Sequence, residues 1–169
     1  MIIGTTGLTH DQIARLTEAS VGIPVVYSPN MSIGINLLYE IIRQCASTLG
    51  LDYNAEIVEI HHRHKKDAPS GTALKLGEVL TQARAQTSDE LIPGRTGPRS
   101  GNEVNVHALR MSEIPGEHKV YFAGNDELIE LGHRTFSRKP FVGGVIAAIY
   151  FIVDRLPGLY NMQQVLKIK

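Results

Sequence analysis

The chain has 169 residues, of which 43% are hydrophobic and 20% are charged, so it can bury a core and is not disordered. Lys+Arg and Asp+Glu both number 17, and a formal net charge of zero argues against a general nucleic-acid binder. The single cysteine, Cys45, excludes an internal disulfide framework and indicates a reducing, cytoplasmic setting. The longest apolar stretch, 142–153, is too short to cross a bilayer, which needs about 20 residues.

The first 31 residues predict a small strand–helix–strand unit. Residues 2–3 and 23–27 have the apolar character of short strands, and the capping-box pattern Thr9-x-x-Gln12 predicts a helix that ends near Ala19. Such a unit is expected to be right-handed, with parallel strands. Because two short parallel strands do not form a stable sheet alone, we interpret residues 1–31 as the remnant of a larger, Rossmann-type doubly wound domain.

The rest of the chain predicts an α+β domain, which makes the fold class α/β. Helical spacing of apolar residues predicts helices over 38–49 and 70–83 and a final helix that begins at Pro140. Residues 87–102 predict an extended loop. Short turns favour an antiparallel meander of the last three strands, so we expect a mixed sheet of about four strands flanked by helices. The predicted strands are Asn54–His62, Glu103–Ser112, His118–Gly124 and Glu127–Phe136.

The densest functional signal runs from Glu59 to Ala73, with the sequence EIHHRHKKDAPSGTA. It lies at a strand end, crosses a polar turn and enters a helix. The segment Ser70-Gly71-Thr72 opens that helix, where backbone N–H groups and the positive end of the dipole form an anion site. Gly71 allows a ligand to approach the backbone closely. Cationic side chains that face such a helix start suggest a small molecule with more than one carboxylate.

Three other interpretations of this segment stay open at this point. Residues 67–70 are also typical of a simple turn with a helix N-cap, and residues 61–66 of a solvated loop. A metal site built from His61, His62 and His64 is disfavoured, because strand alternation points the first two to opposite faces. No nearby cysteine or carboxylate completes a familiar ligand spacing, so no metal is expected.

Two further segments carry weaker signals. Gly4-Thr5-Thr6-Gly7 follows the first predicted strand at its carboxyl end, where ligands of open α/β sheets bind, although the same residues also make ordinary turns. Residues 28–32 follow the second strand and are expected nearby, or they form only a helix-entry loop. Of the other histidines, His107 and His133 are interpreted as structural strand residues, and His118, which follows a turn, is also interpreted as structural.

These residues together resemble a known family. The string Glu56-x-x-Glu59-x-His61-His62-x-x-Lys65-x-Asp67-Ala68-Pro69-Ser70-Gly71-Thr72-Ala73 is similar to the signature of the dihydrodipicolinate reductase family. Residues 3–7 resemble its cofactor loop, and residues 28–36 resemble its interdomain hinge. The resemblance implies an NAD(P)H-dependent oxidoreductase that reduces a cyclic imine dicarboxylate, with NADH or NADPH, in lysine and diaminopimelate biosynthesis.

The resemblance also implies residue roles. His61 would be the catalytic acid that protonates the ring after hydride transfer, and Lys65 would be a second proton donor that also grips a substrate carboxylate. The substrate carboxylates would be bound by His62, Gly71 and Thr72. The nicotinamide side of the cofactor would be bound by Gly4, Thr5, Thr6, Ser28, Pro29, Asn30 and Met31. The family further implies a homotetramer formed through the sheet.

Family members begin with a strand and a Gly-rich phosphate loop that this chain lacks, so the resemblance is to an N-terminally truncated member. It implies a nucleotide-domain remnant over 1–31 and a substrate-binding and oligomerisation domain over 32–140. A C-terminal helix over 141–169 would return to the nucleotide-binding domain. The alternative is a non-catalytic oligomeric fragment that binds dicarboxylates without the nucleotide phosphate site.

Overall fold

A computed structural model describes residues 1–86 and 91–168. The chain divides into two compact units. Unit 1 comprises Met1–Leu37 and Arg138–Lys169, and unit 2 comprises Leu38–Ser137. The elements in chain order are β1 (Ile2–Ile3), α1 (His10–Ala19), β2 (Pro24–Tyr27), α2 (Ile33–Leu49), β3 (Asn54–His61), α3 (Gly71–Ala83), β4 (Leu91–Pro93), β5 (Val104–Arg110), β6 (Gly116–Gly124), β7 (Glu127–Thr135), α4 (Lys139–Ile152), β8 (Gly158–Tyr160) and α5 (Met162–Leu166).

Unit 1 contains a parallel three-stranded sheet in the order β1-β2-β8. The predicted capping box of α1 is confirmed, because the Thr9 side chain accepts from the Gln12 amide and the Gln12 side chain accepts from the Thr9 amide. The prediction of a single helix over 141–169 is incomplete, since β8 and α5 follow α4. A three-residue strand and a five-residue helix are too short to show a periodic pattern.

The core of unit 1 forms where α4 and α5 meet β2 and the loop after it. Its buried apolar residues are Val26, Met31, Ala148, Met162 and Val165. Gly144 on α4 lies against the Met31 backbone so closely that an added Cβ would be 1.6 Å from the Met31 carbonyl oxygen. Only glycine fits at this contact.

Unit 2 contains a mixed five-stranded sheet in the order β4-β5-β3-β6-β7. The central strand β3 is parallel to β5 and antiparallel to β6. The α/β class is confirmed, and the expected four strands become five because β4 forms within the predicted loop 87–102. Residues 87–90 of that loop lie outside the described residues.

The predicted meander of β5, β6 and β7 is wrong in one pairing. β6 and β7 do pair as an antiparallel hairpin, but β3 lies between β5 and β6. The connection from β5 to β6 crosses the end of β3, where the Met111 amide donates to the His61 carbonyl (2.9 Å) and the Arg63 amide to the Ser112 carbonyl (3.1 Å). A short connection therefore spans one intervening strand instead of making a hairpin.

The alternation of β3 determines what lies beneath α3. Ala55, Ile57, Glu59 and His61 form the buried row of this strand, and the residues between them are half-buried on the opposite face. α3 packs against β3 and β5, and its Leu76 and Leu80 are fully buried. The buried row is thus apolar at its first residues and ionisable at its last two. Within the described residues, no helix is long and apolar enough to cross a membrane.

Candidate active site

Glu59 and His61 lie at the end of the buried row of β3. They are two residues apart, so their side chains point to the same face of the strand. Glu59 is fully buried and His61 is 8% exposed. The His61 Nδ1 atom is hydrogen-bonded to Glu59 Oε2. The alternation of the strand therefore brings an imidazole and a carboxylate into contact in a buried position.

The second oxygen of Glu59 is also engaged. Glu59 Oε1 accepts from Arg110 Nη2 at 2.8 Å and from the Ser70 backbone amide at 3.1 Å. Burial alone would raise the pKa of Glu59, but the hydrogen bonds from His61 and Arg110 lower this pKa to about 2. Glu59 is consequently a carboxylate at neutral pH, in a position that three groups fix.

Ser70 links this carboxylate to the start of α3. Its Oγ accepts from the Ala73 amide (3.3 Å) as the N-cap of the helix. Gly71 and Thr72 follow in the first turn, where the backbone amides point along the axis with the positive end of the helix dipole. The start of α3 is therefore tied through Glu59 to the His61 imidazole.

His118 lies against both His61 and Ser70. Its ring packs edge-on against the ring of His61, with centroids 5.1 Å apart, and its Nε2 lies 3.2 Å from Ser70 Oγ. Burial, with a smaller effect of the neighbouring His61, lowers the pKa of His118 to about 3. His118 is thus neutral at neutral pH. We refer to Glu59, His61, Ser70, Arg110 and His118 as the Glu59 cluster.

Lys65 is connected to the same cluster through Asp67. Lys65 Nζ lies 2.8 Å from Asp67 Oδ1, and the Asp67 carbonyl accepts from Arg110 Nη2 at 2.5 Å. The turn after β3 is further held by Glu113, which lies 3.2 Å from Arg63 and 3.8 Å from His64. Lys65 and Arg110 thus both contact Asp67.

The structure brings together most of the predicted substrate-site residues. His61, Gly71 and Thr72 lie on elements joined by Glu59 and Ser70, and Lys65 reaches them through Asp67 and Arg110. His62 lies differently: its ring is beside that of His64, with centroids 6.4 Å apart. The carboxylate-binding role of His62 stays a prediction.

The predicted cofactor residues lie in unit 1, at the carboxyl ends of β1 and β2. The Ser28 amide donates to the Ile3 carbonyl (3.1 Å), which places the two loops side by side. Gly4, Thr5 and Thr6 are exposed, and an added Cβ at Gly4 would be 3.1 Å from Met31 Cγ. Glycine at position 4 therefore allows this loop to pack closely on the buried Met31 side chain, and the loop itself stays exposed.

The second predicted cofactor loop, residues 28–31, contains both buried and exposed residues. Ser28 Oγ donates to the Asn30 carbonyl (2.7 Å), and Asn30 Oδ1 accepts from the Ser32 amide (2.9 Å). Met31 is buried, whereas Pro29 is exposed. The Ser28 and Asn30 side chains therefore stabilise the loop, and cofactor contacts from these two residues would come from their backbone.

Glu59, His61 and His118 have the composition of a metal site, with potential ligand atoms within 4.8 Å of one another. Both Glu59 oxygens are already hydrogen-bonded, however, and one of them contacts the Arg110 guanidinium. A metal ion would have to displace these donors next to a fixed positive charge. The arrangement is therefore better described as a hydrogen-bonded cluster. Its histidines are His61 and His118, whereas His62 and His64 do not belong to it.

Sequence reasoning assigned no role in the site to Glu59, Arg110 or Gly116, and it interpreted His118 as structural. Glu59 could have been found, because its separation of two residues from His61 predicts a shared face on a strand. Gly116 lies so close to His61 that an added Cβ would be 3.1 Å from Nε2. Arg110 and His118 come from neighbouring strands, and only the sheet order brings them to β3.

Comparison with known proteins places this chain in a family. Residues 34–166 match the sequence profile of the C-terminus of dihydrodipicolinate reductase, and residues 1–31 match that of its N-terminus. The 4-hydroxy-tetrahydrodipicolinate reductase of Rubrobacter xylanophilus is 46% identical over 168 residues, which are 98% of this chain and 65% of the relative. The same-named protein of an Anaeromyxobacter species is 45% identical over 173 residues, with 100% and 65% covered.

A solved structure agrees with the sequence relatives. It is the dipicolinate-bound dihydrodipicolinate reductase of Paenisporosarcina sp. TG-14, with a TM-score of 0.75 and 25% identity. It is matched over 99% of this chain and 64% of its own length. The chain thus spans slightly less than two thirds of the length of these relatives. The resemblance inferred from residues 56–73 is confirmed, and the chain belongs to the dihydrodipicolinate reductase family.

Proposed function

We propose that this chain carries the substrate-binding and proton-donating residues of a 4-hydroxy-tetrahydrodipicolinate reductase, in lysine and diaminopimelate biosynthesis. Its substrate would be a cyclic imine dicarboxylate. The single observation that carries the proposal is the Glu59 cluster, in which a buried imidazole is joined to the start of a helix and to cationic side chains. The names of the relatives and the dipicolinate in the solved structure support the same substrate class.

His61 is the proton donor in this proposal. Hydride addition brings one hydrogen with its electron pair to the ring and leaves another electron pair that requires a proton. The Nε2–H of a protonated His61 supplies this proton, and the N–H bonding pair returns to the imidazole, which becomes neutral. A positioned acid of this kind contributes roughly 10²- to 10⁴-fold to a rate. The Nδ1 hydrogen bond to Glu59 holds the ring throughout.

The substrate carboxylates bind at the start of α3 and at the turn before it. The amides of Gly71 and Thr72 present the positive end of the helix dipole to one carboxylate. Lys65 contacts Asp67, whose carbonyl accepts from Arg110 of the Glu59 cluster. In this proposal Lys65 pairs with a substrate carboxylate and acts as the second proton donor. His62 is the remaining candidate for a carboxylate contact, from the turn that it shares with His64.

The bound cofactor, NADH or NADPH, supplies the hydride. In unit 1 the exposed loop of Gly4, Thr5 and Thr6 would hold its nicotinamide side, together with Pro29 and the backbone of the loop that Ser28, Asn30 and Met31 form. The loop of Gly4, Thr5 and Thr6 follows β1 at the carboxyl end of the parallel strands, which is where ligands of such sheets bind.

The experiment that tests the proposal combines binding and turnover. Isothermal titration with dipicolinate measures binding, and loss of nicotinamide absorbance with the cyclic imine measures turnover. We expect His61→Gln to lower kcat by about 10²-fold or more with a small change in KM. The matched control is His107→Gln, which removes a histidine bound to Glu56 on the opposite face of the same sheet and should leave kcat unchanged.

Two results would contradict the proposal. An unchanged kcat in His61→Gln would exclude this residue as the acid. Dipicolinate binding without any oxidation of NADH or NADPH would instead favour the second candidate, a non-catalytic module that binds dicarboxylates.

The face of the sheet opposite α3 supports a proposal about assembly. Its side chains on β6 and β7 form ion pairs, between Lys119 and Glu130 (2.7 Å) and between Glu117 and Arg134 (2.7 Å), and Leu128 beside them is 60% exposed. We infer that copies of this chain pack on this face to form a homotetramer. Light scattering should give a tetramer that Leu128→Glu dissociates, and a monomeric wild-type chain would refute the inference.

A further inference from the structure

The Glu59 carboxylate holds the His61 ring in a way that determines which nitrogen carries a proton. A carboxylate accepts hydrogen bonds and has no hydrogen to donate. Burial opposes the ionisation of Glu59, but its hydrogen bonds from Arg110 and the Ser70 amide favour the carboxylate and fix its position. The hydrogen in the Glu59–His61 contact must then belong to the imidazole, on Nδ1.

The other ring nitrogen faces a different neighbour. Gly116 at the start of β6 lies beside His61 Nε2 and Cδ2, which would be 3.1 Å and 3.4 Å from an added Cβ. The ring is therefore bounded by Glu59 at Nδ1, by the Gly116 backbone near Nε2 and by His118 across its face. These contacts leave the imidazole one orientation.

We propose that Glu59 is a positioning residue for His61, which fixes the imidazole with Nδ1 protonated so that Nε2 is the nitrogen that gains and loses the transferred proton. This rests on the proposed role of His61 as the acid. Arg110 and the Ser70 amide act one step further away, since they hold the Glu59 carboxylate against rotation. Donation through Nε2 then leaves a neutral ring whose remaining proton is already bonded to Glu59.

The arrangement explains why a buried, ionised glutamate lies under a helix start. A carboxylate at this depth is costly unless several donors compensate it. His61, Arg110 and Ser70 supply donors from two strands and one helix N-cap. An apolar residue would pack at this position at a lower cost. We therefore infer that the charge of Glu59 serves to fix the tautomer of His61.

The test is a long-range ¹H–¹⁵N spectrum of the histidine rings at a pH where His61 is neutral, with His61 assigned by the loss of its signals in His61→Gln. We expect the wild-type chain to show the tautomer protonated at Nδ1. Glu59→Gln should convert this single form into a mixture, because a carboxamide both donates and accepts. In turnover, the same variant should lower kcat at least tenfold with little change in KM.

The matched control is Glu56→Gln, on the same strand. Glu56 faces the opposite side of the sheet, where it accepts from Arg95, Arg99 and His107, so its replacement also removes a multiply paired carboxylate. We expect the His61 spectrum of this variant to match the wild type. A general loss of structure would change both variants alike.

The outcomes separate this inference from the proposed function. A wild-type His61 protonated at Nε2 would overturn the positioning role, and this observation does not depend on the folding of Glu59→Gln. An unchanged tautomer in Glu59→Gln would overturn it as well. If His61→Gln leaves kcat unchanged while Glu59→Gln still releases the tautomer, the proposed function fails and only the structural part of the inference survives.

Discussion

Replacing Glu59 by glutamine should destabilise unit 2 by an amount that depends on pH. The carboxamide keeps the shape of the side chain and removes its charge. Burial alone would raise the pKa of Glu59, but the donors His61 and Arg110 lower it from 4.5 to about 2. Since a tenfold change in an equilibrium constant is about 1.4 kcal/mol, this lowered pKa corresponds to about 3 kcal/mol of stability at neutral pH.

The sign of the pH dependence follows from the direction of the change. A carboxyl group whose pKa is lowered by folding stabilises the folded state above its unfolded pKa, and this contribution disappears as the pH falls toward the folded pKa. We therefore expect the free energy of unfolding of Glu59→Gln to lie about 3 kcal/mol below that of the wild type at pH 7, about 2 kcal/mol below it at pH 3.5, and close to it near pH 2.

Urea unfolding followed by the amide signals of Ala55 and Ile57 on β3 measures this difference within unit 2. The control is Glu78→Gln, which removes an exposed ion pair with Lys75 on α3 of the same unit and should change the free energy of unfolding little. A difference between wild type and Glu59→Gln that stays constant from pH 7 to pH 3 would refute the reasoning, because the ionised carboxylate would then not be its source.

Three more substitutions test other contacts. Gly116→Ala should lower kcat severalfold while the fold is kept, because its Cβ would be 3.1 Å from His61 Nε2; Gly132→Ala, with contacts of 3.4 Å or more, is the kinetic control. The wild-type chain should lose stability as the pH falls from 6.5 to 3, because burial lowers the pKa of His118 to about 3 and at this position only the unfolded chain gains a proton in that range. His118→Gln should remove this contribution to the pH dependence of the free energy of unfolding, as measured by urea unfolding. Gly144→Ala should destabilise unit 1 by about 3 kcal/mol in thermal unfolding, because its Cβ would overlap the Met31 carbonyl, whereas the neighbouring Gly143→Ala meets nothing and should be neutral or stabilising.

Local patterns predicted the elements well where the signal is local. The capping box at Thr9, the N-cap at Ser70 and the apolar face of α3 depend on residues three or four apart, and the structure confirms each of them. The strand β4 was missed because three residues, including Pro93, carry no measurable alternation. The extra strand and helix after α4 were missed for the same reason.

Sheet order and the complete site could not be predicted from local patterns. The length of the β5–β6 connection is compatible with a hairpin and with a crossing over one strand, and only the insertion of β3 decides between them. The same insertion brings Arg110 and His118 to opposite sides of β3, where they meet Glu59 and His61. The resemblance was therefore enough to propose His61 as the proton donor. The positions of Arg110 and His118 around it could be found only from the structure.

The most direct test of the proposed site is a titration of the ¹⁵N-labelled chain with dipicolinate, followed by amide and histidine-ring signals. We expect the largest shifts at the amides of Gly71 and Thr72 and at the ring of His61. Lys65→Ala should weaken binding while the same signals still shift. Saturable shifts confined to other residues, with these three signals unchanged, would contradict the assignment of the Glu59 cluster and the start of α3 as the dicarboxylate site.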